Sequence, residues 1–272
     1  MKTRAEGQIA RGGVQRKSTP QGPPSQSLSE QYSLAKILGV WAAAALPMAV
    51  LAWVVAPLVA ARLDGPAPLA RALLASLTVG LVWQFVLVMV LVHRERGSLR
   101  WPILKDALWL HSPRSPRTGR IGGRLWLVLI PATLLFATEE FIPTLPPVAG
   151  HEMGTFLGSE AGREFFSGNW TWFALIVVLM VFNTVLGEEL LFRGLLMPRM
   201  KGAFGRFDWV ANGVLFAGYH LHVPWGMPAT LLIDTFALAY PSRRYRSALI
   251  GIIVHSSQGV FFLGLLLAIV LR

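Results

Sequence analysis

Five side chains in this sequence combine reactive chemistry with apolar surroundings. Three of them, Glu188, Glu189 and Arg193, stand in the string Gly187-Glu188-Glu189-Leu190-Leu191-Phe192-Arg193-Gly194. That string lies within residues 171–198, which read as one long apolar helix. Two later apolar stretches supply His220 and His255. An ionisable side chain at the centre of a membrane helix costs at least about 2.5–3.5 kcal/mol, so such groups face a bundle interior or a water-filled cavity and mark a functional site. Successive helical residues are about 100° apart. Glu189 and Arg193 are four apart, so they share a face and pair. Glu188 turns to a different neighbour and keeps its charge available. A Glu with two His can hold and deprotonate a water, or bind a metal ion.

Depth supports grouping them. Glu188 lies ten residues before Pro198, roughly 15 Å from the end of its helix. His255 lies eight residues after Ser247, roughly 12 Å, and His220 thirteen after Phe207, roughly 20 Å. All three fall in one slab between mid-bilayer and the same membrane face. Asp234, also inside an apolar span, is open between lining that cavity and pairing elsewhere. Gln84 and Asn183 read as hydrogen-bond partners between helices. Glu139 and Glu140 read as solvated groups at the opposite interface, and His222 as an interfacial residue outside the site.

The elements that must position these groups are membrane helices. Hydrophobic residues make up 54% of the 272 and charged residues 14%, the balance of a polytopic membrane protein. With no cysteine, disulfides, thiolate metal sites and a cysteine nucleophile are excluded. The fold class is an all-α transmembrane bundle. Seven spans are expected, at about 34–61, 71–93, 123–138, 170–198, 207–222, 226–240 and 247–271, with an eighth re-entrant or amphipathic segment open within 99–112. With a cytoplasmic N-terminus, this scheme puts 21 of the 25 Lys and Arg on the cytoplasmic side. The net charge of +11 is thereby explained by orientation and contact with anionic lipid, and no nucleic-acid partner is expected.

Residues 1–30 are polar, basic and rich in Ser, Gln, Gly and Pro, and read as a disordered cytoplasmic tail. Residues 31–272 form the integral membrane domain, with its catalytic core at about 170–271. Residues 111–123 form a basic loop and 139–169 an acidic one. No internal repeat suggests a transporter built from inverted halves.

The ordered set Glu188-Glu189-x-x-x-Arg193, Phe216-x-x-x-His220 and a last motif bearing His255 resembles the CPBP intramembrane proteases. These are also called the CAAX protease and bacteriocin-processing, or Abi, family, and include the eukaryotic prenyl-protein endopeptidases. The resemblance covers about residues 170–271. It implies hydrolysis of a peptide bond within the membrane. By resemblance, Glu188 and His220 activate the water, Glu189 and Arg193 support the site, and His255 stabilises the oxyanion. Two mechanisms stay open: a glutamic-type protease needing no cofactor, and a divalent metal such as zinc held by Glu188, His220 and His255. The family's last motif commonly ends in Asn four residues after its His, where this chain has Gly259. Gln258, about 60° round the helix from His255, carries an equivalent amide and is the expected stand-in.

The partners so implied are membrane lipid and a membrane-embedded or membrane-tethered peptide or protein substrate. Arg- and Ala-rich composition and short loops point to a bacterial inner membrane. There, trimming of a leader or bacteriocin peptide, or cleavage of a C-terminal anchor, is the expected work. Two rival readings carry different tests. A non-catalytic scaffold or immunity protein of the same fold would tolerate loss of Glu188. A proton-coupled transporter would use the same buried groups as a relay.

Overall fold

The computed structural model describes residues 30–148, 151, 156 and 158–272. The expected tail, apart from Glu30, lies outside the described residues, as does Glu152 of the acidic loop. Every regular element among the described residues is helical, apart from a single bridge between Arg114 and Ile121.

Four helices are long and apolar enough to cross a membrane: α1 (Leu34–Ala60), α2 (Pro68–Arg96), α6 (Trp170–Arg199) and α10 (Ala248–Val270). Between them lie α3 (Trp101–Ala107), α4 (Leu129–Phe136), α5 (Glu160–Phe166), α7 (Asp208–Tyr219), α8 (Met227–Asp234) and α9 (Tyr240–Tyr245). Of the seven expected spans, four correspond to these long apolar helices. The third, fifth and sixth expected spans fall on α4, α7 and α8, which run on without a break into 3-10 or π turns, so that the helical stretches cover 123–141, 205–222 and 227–245. Their inward faces pack around the reactive groups, while Leu134, Val214 and Leu232 on their outward faces are exposed.

Local sequence explains the long helices. Ser33 caps α1 by accepting from the Lys36 amide at 3.2 Å. Pro47 inside α1 cannot donate to Ala43, and Trp83 of α2 takes that carbonyl at 2.8 Å. Gly97, at φ 70°, closes α2 with a 2.8 Å bond to the His93 carbonyl. Asn169 caps α6.

The outward flanks of these helices carry Leu46, Val79, Leu134, Val260 and Phe261, all exposed. Such a surface suits lipid, where burial of backbone polar groups forces helical structure and side chains stay apolar. The inward faces meet in one core that includes Leu81, Leu191, Phe192, Phe216, Tyr219 and Val254.

At one end of the bundle Arg199, one of the 21 basic residues that the sequence scheme assigns to the cytoplasmic side, acts as a strut. Its guanidinium is fully buried, donates to Glu95 at 2.8 and 3.0 Å, and reaches the carbonyls of Ala107 and Leu195 at 3.0 and 2.8 Å. Tyr32 also donates to Glu95, and its amide bonds the Arg199 carbonyl at 2.9 Å. The segment entering α1 is thus fastened to the end of α6.

Candidate active site

The motif helix is not a plain α-helix where it matters. Phe182–Gly187 and Leu190–Leu196 of α6 are wound as π-helix, with Glu188-Glu189 between them. Such bulges cost helix regularity and recur at functional sites. Gly187 makes the close approach there possible, since a Cβ would stand 2.5 Å from the Phe182 carbonyl and 3.3 Å from that of Leu81 on α2.

Glu189 is fully buried and accepts from Arg193 Nη1 at 3.0 Å, as the four-residue spacing suggested. The same oxygen, Oε1, meets His255 Nδ1 on α10 at 3.1 Å. The depth argument for His255 is thus matched by a direct contact between α6 and α10. The carboxylate accepts, so Nδ1 carries hydrogen and Nε2 is left as the second functional nitrogen. Arg193 is held from its other side by the Phe216 ring, 4.0 Å from the guanidinium carbon.

Glu188 is 2% exposed and takes a different partner. Tyr219 is its side-chain hydrogen-bond partner, and the Tyr219 hydroxyl in turn accepts from Gln84 of α2 at 2.6 Å. His255, Glu189 and Arg193 lie within electrostatic reach of Glu188. The two adjacent carboxyls are thereby separated in role. One is shared between a guanidinium and an imidazole; the other faces a phenol. Gln84 bridges helices as its sequence context suggested, whereas Asn183 makes no side-chain hydrogen bond among the described residues.

His220 is placed by its own helix. Its Nδ1 lies 2.8 Å from the Phe216 carbonyl, and its ring stands edge-on to Phe216 and Tyr219 at 4.9 and 5.1 Å. A carbonyl only accepts, so Nδ1 is protonated and Nε2 holds the lone pair in the neutral ring. No direct contact joins His220 to Glu188; Tyr219 stands beside both. His222, expected outside the site, stacks on His220 with centroids 5.4 Å apart.

Gln258 is not drawn into this cluster by any contact. Its amide donates to Glu140 Oε1 at 2.8 Å, on the exposed rim. At position 259 a Cβ would meet Met180 Sδ at 3.6 Å and Thr184 Cγ2 at 3.7 Å, so this glycine faces α6.

Sequence reasoning missed several groups. Glu139 was expected to be solvated at the far interface. It is half-buried, accepts from Thr230 of α8 at 3.2 Å, and lies within electrostatic reach of His255 and Asp234. Asp234 is buried and faces the same cluster, with Glu139, Arg193, Glu189 and Glu188 all in reach. Tyr219 carried one legible signal, its place beside His220. Gly251 of α10 carried none, yet a Cβ there would stand 2.2 Å from Glu189 Oε2.

Among the described residues no three His, Cys, Asp or Glu side chains converge as a metal-ligand set. Glu188, His220 and His255 therefore do not fit the shared ligand role left open by the sequence, and no step below passes through a metal.

Residues 170–270 are Rce1-like: they match the family model for type II CAAX prenyl endopeptidases of that kind. No curated protein and no solved structure matches the chain. The Rce1-like stretch runs from the start of α6 to the end of α10 and holds Glu188, Glu189, Arg193, His220 and His255. It agrees with the resemblance drawn from the three motifs. The protein is an integral membrane protein whose residues 170–270 are similar to that protease family, and the preceding helices α1, α2 and α4 pack against that segment.

Proposed function

We propose that this protein is a glutamic-type intramembrane endopeptidase that cleaves a membrane-associated peptide or protein. The observation that carries the proposal is the division of labour between adjacent carboxyls. Glu189 is occupied by Arg193 and His255, while Glu188 is paired only through Tyr219 and is free to take a proton.

In this reading a water positioned by Glu188 gives that carboxylate a proton and adds its oxygen to the scissile carbonyl carbon. The carbonyl π electrons move to oxygen, and the resulting oxyanion is stabilised by an N–H from His255 Nε2. Glu189 supports this by holding the imidazole through Nδ1 and balancing the charge of the doubly protonated ring. When the tetrahedral centre collapses, the C–N bond breaks and the departing amine takes the proton held by Glu188. His220, with its Nε2 lone pair, accepts a hydrogen bond from the same water and orients it for attack, while the transferred proton goes to Glu188. Arg193 neutralises Glu189, leaving Glu188 as the base. Gln258, bonded to Glu140, stands outside the reacting set.

The substrate class follows from the setting: a peptide segment at or in the membrane, with leader trimming or release of a C-terminal anchor in a bacterial inner membrane as the fitting reactions. The N-terminus lies on the cytoplasmic side. Gly259, which offers no amide where the resembling family carries Asn, favours one rival, a non-catalytic scaffold of the same fold.

Cleavage of a membrane-peptide library by purified protein in detergent tests these readings. Loss of cleavage in Glu188→Gln, with the parent unaffected by chelator, is the expected result. Loss on chelation would replace the water-activating base with a metal-centred mechanism. Unchanged biological effect of the Glu188→Gln variant would establish the scaffold.

A further inference from the structure

A cavity of about 500 Å3 opens at the end of the bundle where α2 and α6 finish and α10 begins. Its wall brings together Arg96, Lys105, Arg114, Lys201, Arg243 and Arg246 from five separate segments. Two carboxylates also line it, and both are engaged. Asp208 accepts from Arg243 Nε at 2.5 Å, and Asp106 lies 3.7 Å from His111 Nε2. Arg96, Lys105, Arg114, Lys201 and Arg246 make no ion pair and no side-chain hydrogen bond among the described residues. Like charges gathered in a concavity focus their field on whatever anion enters.

The cavity is also built, not a chance gap between loops. Trp109 and Arg246 in its wall both hold left-handed backbone, each with φ of 49°, a region that L side chains rarely adopt. The Ala248 amide bonds the Trp109 carbonyl at 2.9 Å, and Ser247 Oγ bonds that of His111 at 2.5 Å. The Arg114 amide bonds the Tyr245 carbonyl at 2.9 Å. These bonds bolt the segment after α3 onto the turn between α9 and α10, and so hold cations from distant parts of the chain around one space.

Position selects the ligand. The cavity sits at the level where two membrane-crossing helices end and another starts, which is the level of lipid headgroups. The nearby flanks of α2 and α10 expose Val90 and Ile253, and Ile121 at the rim is 66% exposed. We propose that this cavity binds the phosphate of an anionic phospholipid, with the acyl chains lying along those flanks. Basic pockets between membrane helices recognise lipid headgroups in this way. The proposal does not depend on the catalytic reading.

Native mass spectrometry of the full chain in mild detergent, with phosphatidylglycerol or phosphatidylcholine added, tests it. The parent is expected to retain phosphatidylglycerol preferentially. A triple variant, Lys105→Gln with Arg114→Gln and Lys201→Gln, should lose it at least about tenfold, given roughly fivefold per charge at a membrane surface. A control triple at other sites, Arg62→Gln with Arg163→Gln and Arg272→Gln, removes the same charge and should retain the lipid. Inorganic phosphate should compete with the lipid in the parent. Equal retention of both lipids overturns the proposal. So does equal loss in the two triples, which would mean net charge alone. Protection from thermal unfolding by phosphate or an acidic peptide, but not by phosphatidylglycerol, overturns the lipid assignment as well.

Discussion

Gly251 of α10 lies directly against Glu189 of α6. A Cβ at 251 would stand 2.2 Å from Glu189 Oε2 and 3.2 Å from both Arg193 Cγ and Ser242 Oγ. The absence of a side chain on one helix is therefore what admits the buried ion pair on the other. Gly251→Ala is expected to displace Glu189 and destabilise the fold by about 1–3 kcal/mol, the usual range for overpacking. Cleavage should fall with it. Gly259→Ala is the matched control, since its added methyl meets Met180 and Thr184 at ordinary contact distances. Thermal unfolding in detergent and cleavage rates of the two variants, measured together, check this.

Glu189 and Arg193 are both fully buried, and the pair is bounded by His255 and Phe216. Removing one partner strands a charge at a cost of about 3–5 kcal/mol, whereas replacing both by apolar groups of similar size is often neutral. Arg193→Met should therefore be strongly destabilised. The double variant Glu189→Leu with Arg193→Met should regain most of the stability and none of the cleavage. A double variant that cleaves normally would remove the pair from the mechanism.

Much of this site could be read from the chain. The four-residue spacing forecast the Glu189–Arg193 bond, and equal depth forecast that His255 would meet the motif helix. The four long helices fall within a few residues of their expected bounds. What failed has physical causes. The two π segments around Glu188-Glu189 leave no mark in composition. Glu139 follows an apolar helix end, where solvation is the ordinary outcome. Only the packing of that turn over α8 brings it to Thr230 and Asp234. Arg199 looked like an orientation charge because its buried partner, Glu95, is 104 residues away.

His220 offers a test that separates its two nitrogens. Its Nδ1 is spent on the Phe216 carbonyl at 2.8 Å. An Asn side chain places its amide near the Nδ1 position, and a Gln side chain places it near Nε2. His220→Asn is expected to retain near-parental stability, and His220→Gln to lose about 1 kcal/mol with the carbonyl bond. Both should lose cleavage by about 100-fold or more, because neither amide replaces the basic imidazole nitrogen that polarises the water for Glu188. Parental cleavage in either variant would confine His220 to a structural part.

Gln258 is expected to be dispensable. Its amide is engaged by Glu140 at 2.8 Å on the exposed rim. Gln258→Ala should cleave within about twofold of the parent, since the bond it loses is solvent-exposed and touches none of the reacting groups. A loss near 100-fold, the size seen when an oxyanion donor is removed, would instead make its second N–H that donor.

Tyr219 stands between Gln84 and Glu188, accepting from one at 2.6 Å and pairing with the other. Tyr219→Phe removes both bonds with little change of shape. A hydrogen bond to a charged group contributes about 1.5–3 kcal/mol, so an effect on Glu188 corresponds to roughly 10- to 100-fold in rate. The same substitution strands the Gln84 amide, whose Oε1 already lacks a partner among the described residues. That adds about 1–3 kcal/mol of instability unrelated to the reaction. Combining Tyr219→Phe with Gln84→Leu isolates the two effects. The double variant should recover thermal stability because no buried amide is left unpaired. Its cleavage should stay as low as that of Tyr219→Phe, because Glu188 has still lost the phenol that positions it. Recovery of cleavage along with stability would assign Tyr219 to packing alone.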